Sequence, residues 1–239
     1  MKISIQNINH KYKGAETNCL SNLSLDIVEG SKHGIFGANG AGKSTLIKMI
    51  CNVMKPTIGE VKFYKDNIEL TNSVEIKASV GYVPQEFAFY EELTVWQNVK
   101  YFGAMFNLSL QEIKTSYEDL ILLFGLVEHQ KKKVKTFSGG MKRKVNLILG
   151  LLHKPQVLVL DEPIVGIDVH SKNDILNYLN TLNEKGVTLI YTSHQMNESQ
   201  SFCDRFTLLN EGENIVTGNL NKVLKHQNKK DLEAILLAL

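Results

Sequence analysis

The chain has 239 residues, 43% of them hydrophobic, enough to bury a sizeable core in one domain. A formal net charge of +2 gives no general pull toward nucleic acid or anionic lipid, so no nucleic-acid partner is expected. Cys19, Cys51 and Cys203 lack metal-ligand spacing, which argues against a zinc site or a disulfide framework and fits a reducing cytosol.

The first residues, Met1-Lys2-Ile3-Ser4-Ile5-Gln6, alternate like a strand and carry no apolar signal core. The longest apolar runs, such as residues 147–152, fall far short of a membrane span, so the chain is expected to be soluble. If it works at a membrane, a partner must hold it there. Ile3, Ile5 and Ile8, then Leu23, Leu25 and Ile27, have the period-2 spacing of two half-buried strands. Between them lies a polar loop with one aromatic, Tyr12.

Glu29-Gly30 turns the chain into a strand-like run, Lys32-His33-Gly34-Ile35-Phe36, which feeds Gly37-Ala38-Asn39-Gly40-Ala41-Gly42-Lys43-Ser44-Thr45 and then the helical Leu46-Ile47-Lys48-Met49-Ile50. Strand, glycine loop, Gly-Lys-Ser and helix make up the phosphate-binding P-loop pattern. The glycines let backbone N–H groups close around a phosphate chain, and the positive end of the helix faces the same anion. Lys43 is placed to reach the β- and γ-phosphates and the Ser44 hydroxyl to ligate Mg²⁺. A glycine-rich turn that matches by chance is the bland alternative, and the flanking strand and helix weigh against it.

Val61-Lys62-Phe63-Tyr64 resumes as strand, and Val80-Gly81-Tyr82-Val83 is another, ended by Pro84-Gln85. Residues 86–136 change character. Thr94 can cap a helix that places Val95, Trp96, Val99, Phe102 and Phe106 on one face. Ser109-Leu110-Gln111-Glu112 is a capping box opening a further helix, closed near Gly125. The cluster Lys131-Lys132-Lys133 with Lys135 reads as a solvated face. Ser138-Gly139-Gly140 opens a helix over residues 141–153, and Val157-Leu158-Val159-Leu160 has the continuous apolar character of a buried strand. Asp168 caps a helix to about Glu184, and Val187-Thr188-Leu189-Ile190-Tyr191 is a second buried strand. Residues 205–209 and 215–216 read as a hairpin across Glu211-Gly212. Leu232, Ile235, Leu236 and Leu239 form one core-packing helical stripe.

Asp161-Glu162 ends the first buried strand, at the carboxyl edge where parallel sheets bind ligands. An aspartate there can hold the shell of a Mg²⁺ ion, and the glutamate beside it can accept a proton from water attacking a γ-phosphate. A pair of exposed acids at a strand end is the alternative. His194 follows the next buried strand and Gln85 ends the 80–83 strand, so parallel geometry brings both to the same edge. From position alone a histidine there is equally compatible with a satisfied surface or core residue.

Together these residues resemble the nucleotide-binding subunit of an ATP-binding cassette (ABC) transporter, over nearly the whole chain. Residues 37–45 resemble the Walker A loop and residues 157–162 the Walker B strand with its catalytic glutamate. Gln85 falls at the Q-loop glutamine, His194 at the switch histidine, and Tyr12 at the aromatic that stacks on adenine. Phe137-Ser138-Gly139-Gly140-Met141 resembles the family signature Leu-Ser-Gly-Gly-Gln, which P-loop kinases and GTPases lack. Phe137 and Met141 depart from that pattern while Ser138, Gly139 and Gly140 keep it. Ile164 stands where a hydroxyl residue is common in the D-loop, and Asp168 is kept.

The resemblance implies an α/β P-loop NTPase fold: a mostly parallel core sheet, an antiparallel β lobe and a helical sub-domain. It implies one ABC ATPase domain over 1–239, with the sub-domain at about 86–153 inserted in a RecA-like core. ATP and Mg²⁺ are the implied cofactors, with Ser44, Gln85 and Asp161 on the metal and Glu162, His194 and Gln85 at the chemistry. The nucleotide set is Tyr12, residues 37–45 and, from a second copy of the chain or a paralogue arranged head to tail, Ser138, Gly139, Gly140 and Met141. The remaining partner is a separate transmembrane permease, which would hold this ATPase on the cytoplasmic face of the cell membrane. The segment from Pro84-Gln85-Glu86 to Asn107 and the closing Leu232-Glu233 resemble export-type subunits for drugs, antibiotics or lipids. An ATPase of iron–sulfur assembly and a small-molecule P-loop kinase are the rival readings, and the cargo itself is not written in this chain.

Overall fold

The computed structural model describes residues 1–193 and 196–236. Two sheets organise the chain. The first is a four-stranded antiparallel sheet in the order β2-β1-β4-β5, from β1 (Lys2–His10), β2 (Leu20–Ile27), β4 (Ile58–Lys65) and β5 (Ile68–Leu70). The second has six strands in the order β10-β9-β3-β8-β7-β6, built from β3 (Lys32–Gly37), β6 (Val80–Val83), β7 (Val157–Asp161), β8 (Thr188–Thr192), β9 (Arg205–Asn210) and β10 (Glu213–Gly218). Its neighbours from β9 to β6 all run parallel, and only β10 is antiparallel. This is the expected α/β fold with a mostly parallel core and an antiparallel lobe.

The continuous apolar run of β7 is explained by its two buried faces. Val157 and Val159 pack into the core shared with Ile35, Leu46 and the antiparallel sheet. Leu158 and Leu160 pack on the opposite side, into the core shared with Phe36, Tyr191 and the helices that follow β6. All four are fully buried, each contributing about 1.5–3 kcal/mol of transfer free energy. Strand β3, separated from β7 by β8, buries one polar ring, His33, whose Nε2 lies 2.7 Å from the Thr207 hydroxyl in the interior.

Strand β1 departs from strict alternation. Its register against β2 shifts between Ile5 and Ile8, where Asn7 has φ 49° and its N–H donates to Ser24 Oγ at 2.9 Å. One extra residue at this bulge keeps Ile8 on the buried face three positions after Ile5. The hairpin joining β9 to β10 turns on Glu211 and Gly212, both at positive φ (47° and 82°), as a two-residue hairpin requires.

The main helices are α1 (Lys43–Ile50), α2 (Ser73–Ser79), α3 (Val95–Met105), α4 (Leu110–Leu123), α5 (Gly139–Leu151), α6 (Val169–Glu184), α7 (Met196–Phe202), α8 (Leu220–Gln227) and α9 (Leu232–Leu236). Both α3 and α4 start in complete capping boxes, Thr94 with Gln97 and Ser109 with Glu112. Val95, Val99, Ile113, Tyr117 and Leu120 join them in one core with Val145 and Ile148 of α5. α5 begins two residues earlier than the 141–153 reading, because Ser138 Oγ accepts the Met141 N–H and so caps from before the two glycines. It then lies against β6 through two glycines: a Cβ on Gly81 would sit 2.3 Å from the Gly150 carbonyl oxygen, and one on Gly150 would sit 2.6 Å from Val83. No helix among the described residues is long and apolar enough to cross a membrane.

Candidate functional site: a phosphate loop facing three strand ends

Because β3, β8, β7 and β6 run parallel, Gly37, Thr192, Asp161 and Val83 end at one edge of the sheet. Everything that follows is built on that edge.

The loop after β3 closes into α1 at Gly42, whose φ of 97° places it in the left-handed region. A Cβ there would also stand 2.5 Å from Leu20 Cδ2 and 2.8 Å from the Cys19 carbonyl oxygen, so conformation and space both require glycine. Lys43 opens the helix and folds over the loop, its Nζ donating to the carbonyls of Gly37 (2.8 Å) and Ala38 (2.9 Å). Desolvation lowers the pKa of this ammonium, and the nearby carboxylates of Glu162 and Asp161 oppose that shift. Tyr12, on the loop leaving β1, lies with its hydroxyl 3.1 Å from Thr45 Oγ1 and its ring edge-on to His10. It is 40% exposed beside the loop.

At the strand ends, Asp161 Oδ1 accepts from the Thr192 hydroxyl at 2.6 Å, and Oδ2 from the Tyr82 hydroxyl at 3.5 Å. Burial and then the Asp161 charge hold the Tyr82 phenol above its usual range. Glu162 is buried and takes up φ 49°, a conformation that costs a non-glycine residue about 1–3 kcal/mol. Its N–H donates to the Thr192 carbonyl at 3.1 Å, and its Oε2 accepts from Gln85 Nε2 at 3.2 Å. The structure therefore gathers Lys43, Gln85, Asp161 and Glu162, and sets Tyr12 against Thr45. His194 lies outside the described residues.

Ser138, Gly139, Gly140 and Met141 stand apart from this cluster. They form the N-terminus of α5, where Gly140 packs so closely on the start of α6 that a Cβ would sit 2.5 Å from Ser171 Oγ and 2.9 Å from Asp168 Oδ2. Asp168 accepts the Ser171 N–H at 2.9 Å, the bond that caps α6 and holds the Asp168 carboxyl below its usual range. Among the described residues, no hydrogen bond joins residues 138–141 to residues 37–45.

Three residues of this edge were not singled out in the sequence for it. Thr192 braces Asp161 from the neighbouring strand, and a hydroxyl closing a buried strand was its only signal. Arg143 and Asn146 hold the loop around Gln85 from α5. Their signal was a charge and an amide, three residues apart, facing inward on an apolar helix. Beside the same loop, Tyr82, Pro84, Ala88, Phe102, Phe106 and His153 line an apolar groove of about 500 Å³.

A phosphate loop ending β3, with two acids and an amide on the neighbouring strand ends, defines the class of P-loop nucleotide hydrolases. The model of one family within that class, described as ABC transporter, matches residues 20–165. This chain belongs to that family and is an ATPase subunit. The linearmycin resistance ATP-binding protein LnrL of Bacillus subtilis (strain 168) is 40% identical over 216 residues, covering 90% of this chain and 68% of that protein. A solved structure described as the ATP binding subunit of an ABC transporter shares the fold with a TM-score of 0.87 at 24% identity, over 100% of this chain and 99% of its own. The ATP-binding cassette MJ0796, solved as a dimer in a post-hydrolysis state with ADP and Pi, is 29% identical with a TM-score of 0.79, over 91% of this chain and 98% of its own.

Proposed function

We propose that this ATPase drives an export-type transporter, and that its finished catalytic site is shared between two copies of the chain. The observation that carries the shared site is that, among the described residues, the glycine turn at residues 138–141 packs on Asp168 and Ser171 and makes no hydrogen bond to the phosphate loop of the same chain. In this reading Tyr12 stacks on adenine, and the backbone N–H groups of residues 37–45 with Lys43 cradle the triphosphate. Ser138, Gly139, Gly140 and Met141 present a second nest of N–H donors to the γ-phosphate held by the partner copy. That the MJ0796 cassette is dimeric supports the arrangement.

Ser44, Asp161 and Gln85 offer a hydroxyl, a carboxylate and an amide oxygen, the hard oxygen set that suits Mg²⁺. The Gln85 amide nitrogen is already given to Glu162, which leaves its oxygen for the ion. Bound there, Mg²⁺ would neutralise charge on the β- and γ-phosphate oxygens. Glu162 accepts the proton of the water that attacks the γ-phosphorus, and ADP leaves as the new P–O bond forms, a contribution of about 10²–10⁴ in rate. His194 is assigned to the γ-phosphate side of the same edge.

Residues 1–239 act as one cassette with a helical sub-domain at about 86–153. The apolar groove beside the Gln85 loop receives a cytoplasmic helix of a separate permease, which holds the ATPase at the inner face of the membrane. Export of a drug-like or lipid-like cargo follows from likeness to a resistance protein. The test is Glu162→Gln. The variant should bind ATP like the wild type, lose about 10²–10⁴ of turnover, and elute as an ATP-dependent dimer that Ser138→Arg abolishes. Normal turnover would remove Glu162 as the base, and a dimer indifferent to Ser138→Arg would refute the shared site.

A further inference from the structure

The glycine turn and Gln85 belong to distant stretches of sequence, yet one helix holds both. Arg143 stands one turn into α5 from the glycine turn, and its Nη1 donates to the Gln85 carbonyl at 2.5 Å and to the Pro84 carbonyl at 3.4 Å. Asn146, on the same face, donates to the Pro84 carbonyl at 2.9 Å and accepts the Ala88 N–H at 3.0 Å. The guanidinium also lies 5.0 Å from the centre of the Phe87 ring. A buried arginine spent on neutral carbonyls is costly unless its position matters.

A second set of contacts ties the same two segments farther along. The N–H of Val134 donates to the Leu93 carbonyl, and the N–H of Lys135 to the Glu91 carbonyl, both at 2.9 Å. Lys142 pairs with Glu91 at 2.6 Å. The loop after Gln85 is therefore fastened at both ends to the stretch that carries residues 138–141.

We propose that Arg143 is a positioning residue for hydrolysis: by gripping the Gln85 carbonyl it fixes the Gln85 amide on Glu162. The relay runs from Arg143 Nη1 to Gln85 O, through the Gln85 side chain, to Glu162 Oε2 at 3.2 Å. The charges of Glu162 and Asp161 also raise the Arg143 pKa, against the larger lowering by burial. This inference rests on the assignment of Glu162 as the base.

The experiment compares Arg143→Gln, Arg143→Lys and Glu162→Gln in the full chain by steady-state ATPase kinetics and direct ATP titration. A misplacement of about 1 Å at a reacting group costs on the order of 10²-fold, so Arg143→Gln should lose about 10–100-fold in kcat while its ATP affinity stays within about two-fold. Lysine keeps a charge and N–H donors but not the planar fork, so Arg143→Lys should recover only part of that loss and stay below the wild-type kcat. A purely structural role would not produce this split between kcat and affinity. Wild-type kcat in Arg143→Gln beside a stalled Glu162→Gln overturns the proposal and leaves the base assignment standing. Should Arg143→Gln not fold, Arg143→Lys decides: a lowered kcat with intact ATP binding supports the proposal, and a wild-type kcat overturns it.

Discussion

Acid should unfold this protein through one buried imidazole. His33 is fully buried in β3, with Nε2 on the Thr207 hydroxyl and Nδ1 buried without a hydrogen-bond partner. Burial, and after it the Arg205 cation, lowers its pKa from 6.5 to about 3. Between those values the unfolded chain binds a proton that the folded chain refuses, so stability rises with pH across the window. The contribution is present above the unfolded pKa and is lost as pH falls from there toward about 3, at about 1.4 kcal/mol per pH unit. From about pH 7.5 to about pH 5 the loss assigned to His33 is about 2 kcal/mol. With a urea slope on the order of 2–3 kcal/mol/M, the midpoint should fall by about 0.7–1 M more in the wild type than in His33→Gln. The glutamine keeps a neutral donor for Thr207 but cannot titrate, and the carboxylates that titrate in the same range are common to both proteins. Equal losses in the two proteins would refute the argument.

Three further outcomes follow from the described geometry. Thr192→Val removes the 2.6 Å hydrogen bond to Asp161 at little change in volume; the Mg²⁺ concentration for half-maximal ATPase activity should rise about 10–100-fold, and an unchanged requirement would separate Thr192 from the metal. Tyr12→Ala should weaken ATP binding by about 1–3 kcal/mol in a direct titration, while Tyr12→Phe should bind nearly normally, because stacking needs the ring and not the hydroxyl on Thr45. Gly81→Ala would push a methyl group 2.3 Å from the Gly150 carbonyl oxygen, which cannot swing aside as a side chain would; urea denaturation should show a loss of about 1–3 kcal/mol, and wild-type stability would mean the seam gives way.

The fold was legible where periodicity and chemistry agreed. The apolar run at residues 157–160, the Ser-x-x-Glu box at Ser109 and the Glu211-Gly212 turn each have one physical reading, and the structure shows the strand, the helix start and the hairpin. Short amphipathic pieces were not legible. β5, α2 and α8 were not named from the sequence, although the turn at Asp66-Asn67, with both residues at positive φ, and the caps at Asn72 and Asn219 mark their ends. Three to eight residues offer too little pattern to separate helix from loop. In the site, the sequence named Gln85, Asp161 and Glu162 through their strand ends. Thr192, Arg143 and Asn146 stayed hidden because their roles are set by what packs across from them, and spacing along one element says nothing of that.

The left-handed backbone at Glu162 has a consequence for how two adjacent acids serve one site. Along an extended strand, consecutive side chains leave from opposite faces, so neighbours such as Leu160 and Asp161 do not address the same space. At residue 162 the backbone leaves the extended conformation, and the charges of both acids raise the pKa of the same two cations, Lys43 and Arg143. Glycine would sit at that torsion with less strain but would bring no carboxylate. Robustness and turnover thus pull in opposite directions at a single position, and any lineage selected only for a sturdier chain would be drawn toward silence at residue 162.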